Sequence, residues 1–252
     1  MNARQRRILD VLSQNGEVFV QELAQRLKVT TMTIRRDLQI LEHLGSLSRT
    51  HGGAVLSSAG IIEFSFMKKG EDHGAEKRAI AARVAAMVES GMSVTLDTGT
   101  TCLEVAKAIN GIRNLKVLTS SLAIASALYA RDNIDLVLLG GKARKGNPDL
   151  TGWLTEENLK HFRADMAILG ADGADRDGIY TTDEAVAHVS QGMIACAGAA
   201  VLAADHSKFG KPSFLKYASW PDFDYVVTDT GLSADVRRWL QRVAKNVVYA
   251  QV

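Results

Sequence analysis

Residues 30–38 of the 252-residue chain are Thr-Thr-Met-Thr-Ile-Arg-Arg-Asp-Leu, a helix start followed by an apolar stripe and an arginine pair. Thr30 or Thr31 is suited to cap a helix, because its hydroxyl accepts a hydrogen bond from a free amide of the first turn. The apolar positions repeat at the spacing of one helical face and are Ile34, Leu38, Leu41 and Leu44. The stretch therefore predicts an amphipathic helix.

Two shorter amphipathic patterns precede this helix. Their apolar positions are Ile8, Val11 and Leu12 in the first and Val20, Leu23, Ala24 and Leu27 in the second. Asn15-Gly16 ends the first helix, and Lys28-Val29-Thr30 forms a tight link between the second and third. Two helices joined by a three-residue turn have the spacing of a helix-turn-helix, whose second helix enters the DNA major groove.

Residues 45–55 follow the third helix and predict a β-hairpin wing that turns at Gly52-Gly53. Polar side chains of the third helix and the wing are the candidate DNA contacts, because hydroxyls bind phosphates and arginine grips a guanine edge bidentately. These candidates are Thr30, Thr31, Thr33, Arg35, Arg36, Gln39, Arg49 and His51. The alternative for the arginine pair is a solvated helix face on which it pairs with Asp37 or Glu42.

The N-terminal pattern resembles the signature of the DeoR/GlpR family of bacterial transcriptional regulators. The positions that carry the resemblance are Arg4, Ile8, Leu12, Thr30 and Thr33-Ile34-Arg35-Arg36-Asp37-Leu38, at their spacing in this chain. It implies a winged helix-turn-helix that binds a double-stranded DNA operator, joined to an effector domain. Residues 1–56 carry eight basic and five acidic side chains, a net +3, and this local excess also favours a polyanion partner.

The rest of the chain predicts an α/β domain. Residues 57 to about 75 are small and polar and predict a linker between two domains. From Ala75 onward helical and apolar extended segments alternate, beginning with a helix over Glu76–Glu89, which indicates a mostly parallel sheet covered on both faces. We therefore expect a winged helix-turn-helix domain at residues 1–57, a linker at 58–75 and an effector-binding α/β domain at 76–252.

Small polar residues cluster after four of the predicted strands, where α/β sheets bind ligands. The four clusters are Asp97-Thr98-Gly99-Thr100-Thr101, Thr119-Ser120-Ser121, residues 170–175 and residues 205–210. The first opens a helix with a glycine and hydroxyls and predicts an anion cradle. It lacks the lysine of a P-loop and the three glycines of a dinucleotide fingerprint, so neither ATP nor NAD is favoured. Taken singly, each cluster is also compatible with ordinary turn chemistry.

The large domain also resembles ribose-5-phosphate isomerase, whose fold supplies the effector domain of the DeoR/GlpR family. Gly99-Thr100-Thr101 stands where the isomerases place their phosphate-binding Gly-Ser-Thr, and Asp172-Gly-Ala-Asp175 reproduces an isomerase motif. Glu184 stands near the isomerase catalytic glutamate, and Ser207-Lys208 matches a Ser-Lys whose lysine faces the phosphate. The resemblance implies a sugar-phosphate effector site comprising Asp97, Gly99, Thr100, Thr101, Ser120, Ser121, Asp172, Asp175, Glu184 and Lys208.

Two departures from the isomerase pattern concern catalysis. The Lys-Gly-Gly-Gly stretch is missing between Asp175 and Glu184, and no lysine follows Glu184. Isomerisation needs a base and a charge stabiliser within hydrogen-bond reach, so the chain is expected to keep the binding site without the catalyst. The rival expectation is a sugar-phosphate isomerase-like enzyme with an accessory N-terminal domain.

Other features lead to expected absences. The six histidines have no zinc-site spacing, so no metal and no cofactor are predicted, and Cys102 and Cys196 are expected to be reduced and buried. The longest apolar runs are too short for a membrane helix and no signal peptide is apparent, which predicts a cytoplasmic protein. Arg144 and Lys145 either reach a ligand phosphate or solvate a turn. Trp153, Trp220 and Trp239 are expected in the core or at a subunit contact.

The sequence thus predicts a sequence-specific DNA-binding transcriptional regulator rather than an enzyme. A repressor of a carbohydrate-utilisation operon, controlled by a phosphorylated sugar, is the expected form, with activation of transcription left open. A homo-oligomer, dimer or tetramer, is expected, because two-fold symmetry matches a palindromic or repeated operator.

Overall fold

A computed structural model describes residues 1–43, 46–56, 66, 69–144 and 146–252. The chain divides into two compact units, one of residues 1–69 with 145–147 and one of residues 70–144 with 148–252. Most of the predicted linker, residues 58–65, 67 and 68, lies outside the described residues, as do Leu44, Gly45 and Lys145. No helix in the described ranges is both long enough and apolar enough to cross a membrane.

Between residues 1 and 56, the described part of the first unit contains three helices and a three-stranded sheet. The helices are α1 (Ala3–Asn15), α2 (Val20–Leu27) and α3 (Thr31–His43), and the strands are β1 (Glu17–Phe19), β2 (Leu47–Arg49) and β3 (Gly53–Leu56). Asn2 and Gln5 form a capping box that starts α1, and Gly16 ends it at a φ of 77°. Lys28 ends α2 in the left-handed conformation, which leaves three residues before α3. The helix-turn-helix spacing is therefore confirmed.

The three helices pack on one apolar core. Their predicted apolar positions are buried, apart from the half-buried Leu27 and the undescribed Leu44. β2 and β3 form the predicted antiparallel hairpin, in which Thr50 N donates to Gly53 O. β1 was not predicted and pairs with the other edge of β3. Three residues are too few to produce an alternating pattern, so its pairing depends on the edge that β3 offers.

The second unit is built on a seven-stranded parallel sheet with the order β15-β14-β12-β9-β4-β5-β6. Its strands are β4 (Ser93–Leu96), β5 (Leu115–Thr119), β6 (Ile134–Leu138), β9 (Ala164–Leu169), β12 (Ala197–Ala203), β14 (Tyr225–Asp229) and β15 (Val247–Ala250). The helices are α4 (Gly74–Ala85), α5 (Thr100–Ala108), α6 (Leu122–Leu128), α7 (Trp153–Leu159), α8 (Glu184–Cys196) and α9 (Ala234–Val243). The predicted α/β architecture is confirmed.

Helices cover both faces of this sheet. One buried cluster joins α4, α5 and α6 to the sheet through residues such as Ile80, Val105 and Ile124. The other joins α8 and α9 to it through residues such as Met193, Trp239 and Leu240. Trp220 is buried in the second cluster. Trp153 is 74% exposed and is therefore not a core residue, which leaves the subunit contact as the remaining expectation for it.

Short strands and shifted helix ends are the main differences from the predicted elements. The unpredicted strands are β7 (Lys142–Ala143), β8 (Leu150–Thr151), β10 (Gly173–Ala174), β11 (Ile179–Thr181) and β13 (Leu215–Ala218). They have two to four residues and pair only with one another, so no periodic pattern marks them. α4 begins at Gly74, inside the predicted linker, and ends at Ala85 instead of Glu89.

Candidate functional site

The exposed face of α3 carries the predicted DNA contacts. Thr31, Arg35 and Gln39 are exposed and four residues apart, so they lie in one row along the helix, and the exposed Arg36 lies beside that row. The opposite face, which includes Ile34, is buried in the core of the first unit. α3 therefore presents hydroxyl, guanidinium and amide groups on one side.

The acidic neighbours of the arginine pair interact elsewhere. Asp37 is 3% exposed and accepts hydrogen bonds from Arg4 Nε at 2.5 Å and Gln5 Nε2 at 3.2 Å. Glu42 accepts from Arg49 Nε at 2.8 Å, and these bonds lower the pKa of its carboxyl. Within the described ranges neither Arg35 nor Arg36 has an ion pair. The alternative in which they pair with Asp37 or Glu42 is thus contradicted.

The remaining predicted DNA contacts differ in whether their side chains are already bonded within the first unit. Thr30 Oγ1 accepts from Thr33 N at 3.2 Å and lies 2.9 Å from Thr33 Oγ1, so both hydroxyls take part in capping α3. Arg49 is held by Glu42 on the wing strand β2. His51 is exposed in the turn of the hairpin.

Met32 was missed as a candidate contact. It is 70% exposed on α3, between the row of Thr31, Arg35 and Gln39 and the position of Arg36. An apolar side chain on this face suits contact with a thymine methyl group. The available signal was an apolar residue out of phase with the buried positions of the helix.

In the second unit, the four polar clusters follow four consecutive strands of the sheet. In chain order the strands are β4, β5, β9 and β12, and in space the order is β12-β9-β4-β5. Since the strands are parallel, their carboxyl ends meet at one edge. The chain winds outward from β4 toward β6 and then returns to β9 on the other side of β4. A topological switch point, where α/β sheets bind ligands, therefore lies between β4 and β9.

Gly99 lies at this switch point and precedes α5. It has a φ of 105°, a conformation that favours glycine, and no side chain caps the nine-residue helix that follows. α5 thus begins with Thr100 and Thr101 at the carboxyl edge of the sheet, where the backbone N–H groups of a first helical turn point out of the helix. A helix N-terminus of this kind favours an anion, which fits the predicted cradle.

Asp97 lies beneath the cradle and is 4% exposed. Its carboxylate accepts from Thr98 N at 2.7 Å and from Ser190 Oγ at 3.2 Å. Burial raises the pKa of Asp97 to about 6, against the opposing effect of these hydrogen bonds. Asp97 is therefore a buried acid that titrates near neutral pH beside the candidate site.

The two serines after β5 differ in their contacts. Ser121 Oγ accepts from Ile124 N at 3.3 Å and caps α6, which is a structural role. Ser120 Oγ is fully buried and has no hydrogen-bond partner among the described residues. A buried hydroxyl without a partner costs free energy, so Ser120 is the better ligand candidate of the two.

The acidic candidates on the loops after β9 make structural contacts. Asp172 accepts from Thr181 Oγ1, Thr182 N and Thr182 Oγ1 at 2.9–3.2 Å. Asp175 accepts from the backbone amides of residues 177 and 178, as in an Asx turn. Glu184 is exposed in the first turn of α8. These three residues are accounted for by turn and helix-end chemistry as well as by a ligand role.

Two lysines flank the end of β12. Asp205 is fully buried, with one oxygen bonded to Ser207 and the other, Oδ2, without a hydrogen-bond partner in the described chain. Lys208 is half-buried and interacts electrostatically with Lys77. Lys77, on α4, is 4% exposed and donates to Asp72 O at 2.7 Å. Burial lowers the pKa of Lys77, while Asp205 acts in the opposite direction.

Lys77 was not predicted as a site residue, because a lysine within an amphipathic helix pattern does not by itself indicate a binding site. Only the packing of α4 against the sheet brings it to Asp205 and Lys208. Arg144, which had two open interpretations, is bound by Asp149 at 2.6 Å and Asp183 at 3.3 Å. Arg144 is therefore held by two carboxylates, ion pairs that neither interpretation predicted, and Lys145 lies outside the described residues.

A group of side chains with metal-ligand chemistry lies near the same edge. His73, Glu76 and His206 each offer one ligand atom, and these atoms lie within 4.8 Å of one another. The group is not apparent from the sequence, because His206 is 133 residues from His73 in the chain. The local signal was limited to the His-x-x-Glu spacing at the start of α4.

Comparison with known proteins gives matches along nearly the whole chain. The family model described as "DeoR C terminal sensor domain" matches residues 72–230, and "DeoR-like helix-turn-helix domain" matches residues 4–59. The transcriptional repressor AccR of Agrobacterium fabrum is 34% identical over 98% of this chain and 96% of its own length. The glycerol-3-phosphate regulon repressor of Escherichia coli K12 is 32% identical over 88% of each chain.

Among solved structures, ribose 5-phosphate isomerase A from Neisseria gonorrhoeae matches 53% of this chain and 52% of its own. The TM-score is 0.40 and the sequence identity 17%.

Proposed function

Because the chain belongs to the DeoR family of transcriptional regulators, we propose that it represses a carbohydrate-utilisation operon and that a phosphorylated sugar controls its affinity for the operator. Both relatives described above are named as repressors, one of them of a glycerol-3-phosphate regulon. The proposal has a DNA half, in the first unit, and an effector half, in the second.

The DNA half is supported by the exposed face of α3. Arg35 and Arg36 carry charges that no described acidic group neutralises, and Thr31, Gln39 and Met32 supply polar and apolar groups beside them. In a helix-turn-helix this face enters the major groove, where arginine binds guanine and apolar groups contact thymine. His51, in the exposed turn of the wing, is placed to contact the DNA backbone.

The effector half rests on one observation, the position of four polar strand ends on the consecutive strands β12-β9-β4-β5. The first turn of α5, with Gly99, Thr100 and Thr101, offers backbone amides to a phosphate. Lys208, aided by Lys77, supplies the positive charge that a phosphate dianion requires. Ser120 Oγ and Asp205 Oδ2, both buried without hydrogen-bond partners in the described chain, are suited to sugar hydroxyls.

For the effector to control DNA binding, the protein needs two conformations that differ in their affinity for the operator, and the sugar phosphate has to bind one of them more tightly than the other. A coupling free energy of about 1–3 kcal/mol is usual, which corresponds to a change of about 5–150-fold in operator affinity.

We also propose that the regulator acts as a homo-oligomer. Leu138, the last residue of the edge strand β6, is exposed, and Leu154 Cδ2 would lie 3.5 Å from a Cβ at Gly140, just beyond that strand. Leu122, Trp153 and Leu154 are exposed apolar residues as well. An edge strand offers unpaired backbone groups, and an exposed apolar cluster at its end suits contact with a second copy. Two copies then present two copies of α3 to the two half-sites of an operator.

The proposal is tested by fluorescence anisotropy on DNA from directly upstream of the gene and its neighbours. A panel of sugar phosphates, with the unphosphorylated sugars as matched controls, is added to the protein–DNA complex. We expect specific binding that one phosphorylated sugar weakens and its unphosphorylated form does not. Specific binding that no sugar phosphate alters would refute the effector half alone, and absence of specific binding would refute the DNA half.

The rival function, a sugar-phosphate isomerase, is tested with the same protein. Asp172 and Asp175 are engaged in turn contacts and Glu184 is exposed, whereas a general base needs to be held within hydrogen-bond reach of the substrate. We therefore expect no turnover of ribose 5-phosphate above background in a coupled assay. Turnover that Glu184→Gln abolishes would favour the enzyme.

A further inference from the structure

We propose that His73, Glu76 and His206 form a binding site for a divalent transition metal of the Zn²⁺ type. The three residues belong to the second unit and come from the start of α4 and from the segment after β12. The inference does not depend on the identity of the operator or the effector.

The ligand set suits zinc. Imidazole nitrogens and a carboxylate oxygen are its usual ligands, and two histidines with one glutamate leave the fourth tetrahedral position for water. Magnesium and calcium prefer sets made of oxygen atoms alone. The combination therefore selects a transition metal over the common alkaline-earth ions.

His206 is oriented for metal binding by a buried carboxylate. Its Nδ1 lies 2.8 Å from Asp229 Oδ2, and its backbone N donates to Asp229 Oδ1 at 2.7 Å. Since a carboxylate only accepts hydrogen bonds, Nδ1 carries the proton and Nε2 is left as the ligand atom. A carboxylate that fixes the imidazole in this way is the usual partner of a metal-binding histidine.

The backbone around Asp229 is shaped to this contact. Asp229 is 1% exposed and also accepts from Gly231 N at 2.8 Å. A Cβ on residue 231 would lie 2.6 Å from His206 Nδ1, so glycine is needed for the loop to approach the ring. His206 is thus held from its Nδ1 side.

His73 and Glu76, both at the start of α4, complete the set. His73 Nδ1 lies 3.7 Å from Glu76 Oε1, and the rings of His73 and His206 meet edge to face with centroids 4.9 Å apart. Ligand atoms around a tetrahedral zinc ion are about 3.3 Å apart, given metal–ligand distances of about 2.0–2.2 Å. The ligand atoms lie within 4.8 Å of one another, so binding requires them to approach by up to about 1.5 Å, which rotation of the exposed His73 side chain allows.

Two carboxylates belong to the proposed site. Glu76 and the buried Asp229 contribute two negative charges, of which one contacts the metal directly and one acts through His206. The metal would tie the start of α4 to the ends of β12 and β14, which the three ligands and Asp229 already bring together. The metal would therefore link elements of the fold, and water would occupy its fourth coordination position.

The experiment uses the full-length protein, freed of metal with a chelator. Zn²⁺ is titrated by calorimetry, and Co²⁺ is added separately to record the visible absorption of a tetrahedral site. We expect one ion per chain. His206→Ala and His73→Ala should abolish stoichiometric binding, and Asp229→Asn should weaken it by about 10–100-fold.

His188→Ala is the matched control. His188 Nδ1 lies 3.8 Å from Glu156 Oε1, a surface histidine–glutamate pair that the described residues do not extend to a third ligand. This variant should bind Zn²⁺ as the parent protein does. Glu76→Gln leaves the His206–Asp229 contact intact, so it tests the site even if the histidine variants fold poorly. Absence of stoichiometric binding, or equal affinity in Glu76→Gln and the parent protein, would overturn the proposal.

Discussion

Arg4 and Asp37 form an ion pair 33 residues apart in the chain, with Arg4 Nε 2.5 Å from Asp37 Oδ2. Asp37 directly follows Arg35 and Arg36 in sequence but faces the core of the winged helix, where it ties α1 to α3. The pair therefore has two effects. It joins two helices, and it removes the nearest acid from the face that carries the arginines.

The arginine pair should account for a measurable part of the salt dependence of DNA binding. For Arg35→Ala with Arg36→Ala we expect weaker operator binding, and each lost phosphate contact should reduce the slope of log K against log salt by about 0.9. Anisotropy titrations at several salt concentrations measure this slope. Arg238→Ala with Arg242→Ala, which removes the same number of charges from exposed positions of α9, serves as the control. An unchanged affinity and slope would remove α3 from the interface.

Gly53 should be required for the wing. A Cβ at this position would lie 1.7 Å from Val18 O, a backbone atom that moves only if β1 and β3 separate. We expect Gly53→Ala to destabilise the first unit by about 1–3 kcal/mol, the usual cost of overpacking. Urea unfolding measures the change, and Gly52→Ala, with open space around its Cβ, is the matched control. Equal destabilisation by both changes would contradict the packing argument.

Asp97 should make stability depend on pH. Its pKa is about 6 in the folded protein and about 3.9 in an unfolded chain, so between pH 4 and 6 the native state binds more protons. Stability therefore falls as pH rises through this window, by on the order of 3 kcal/mol for a shift of about two units. In Asp97→Asn this fall should be absent, which urea unfolding at pH 4.5 and 7 would show.

Asp165 provides the control of opposite sign. Hydrogen bonds from Ser93 lower the pKa of its carboxyl, so Asp165 adds stability at neutral pH that is lost as pH falls through its folded pKa. Asp165→Asn should therefore lose stability at pH 7 relative to low pH, whereas Asp97→Asn should gain it. Parallel pH profiles for the two variants would contradict the assignment of Asp97.

Lys208 should separate effector binding from DNA binding. We expect Lys208→Ala to bind operator DNA normally but to need at least about 10-fold more sugar phosphate for release, because a hydrogen bond to a charged group contributes about 1.5–3 kcal/mol. Anisotropy with increasing effector measures the midpoint. Lys216→Ala, an exposed lysine on β13, should respond as the parent protein does. A normal midpoint in Lys208→Ala would exclude this lysine from the phosphate site.

The apolar surface around the end of β6 should hold the oligomer together. We expect Leu138→Lys with Trp153→Ser to reduce the solution mass, measured by light scattering after size-exclusion chromatography, and to weaken operator binding with it. Phe214→Ser is the control, since Phe214 is 83% exposed on another part of the second unit. An unchanged mass in the double variant would assign the interface to another surface.

Most of the fold could be predicted from patterns of neighbouring residues in the sequence. The three N-terminal helices, the wing and the alternation of strands and helices follow from apolar periodicity, glycines and caps. The short strands β7, β8, β10, β11 and β13 were not predictable, because two to four residues have no period and depend on a partner strand for their conformation.

Some residues of the candidate sites could be identified from the sequence, and others only from the tertiary structure. Gly99, the α3 arginines and the polar strand ends could be identified from the sequence, because each depends on a few adjacent residues and on the general geometry of parallel sheets. Lys77 beside Lys208, the partners of Asp37 and Glu42, and the His73–Glu76–His206 group could not, because their members are distant in the chain. Which strands become neighbours, and hence which charges meet, is decided by the packing of the whole sheet and its helices.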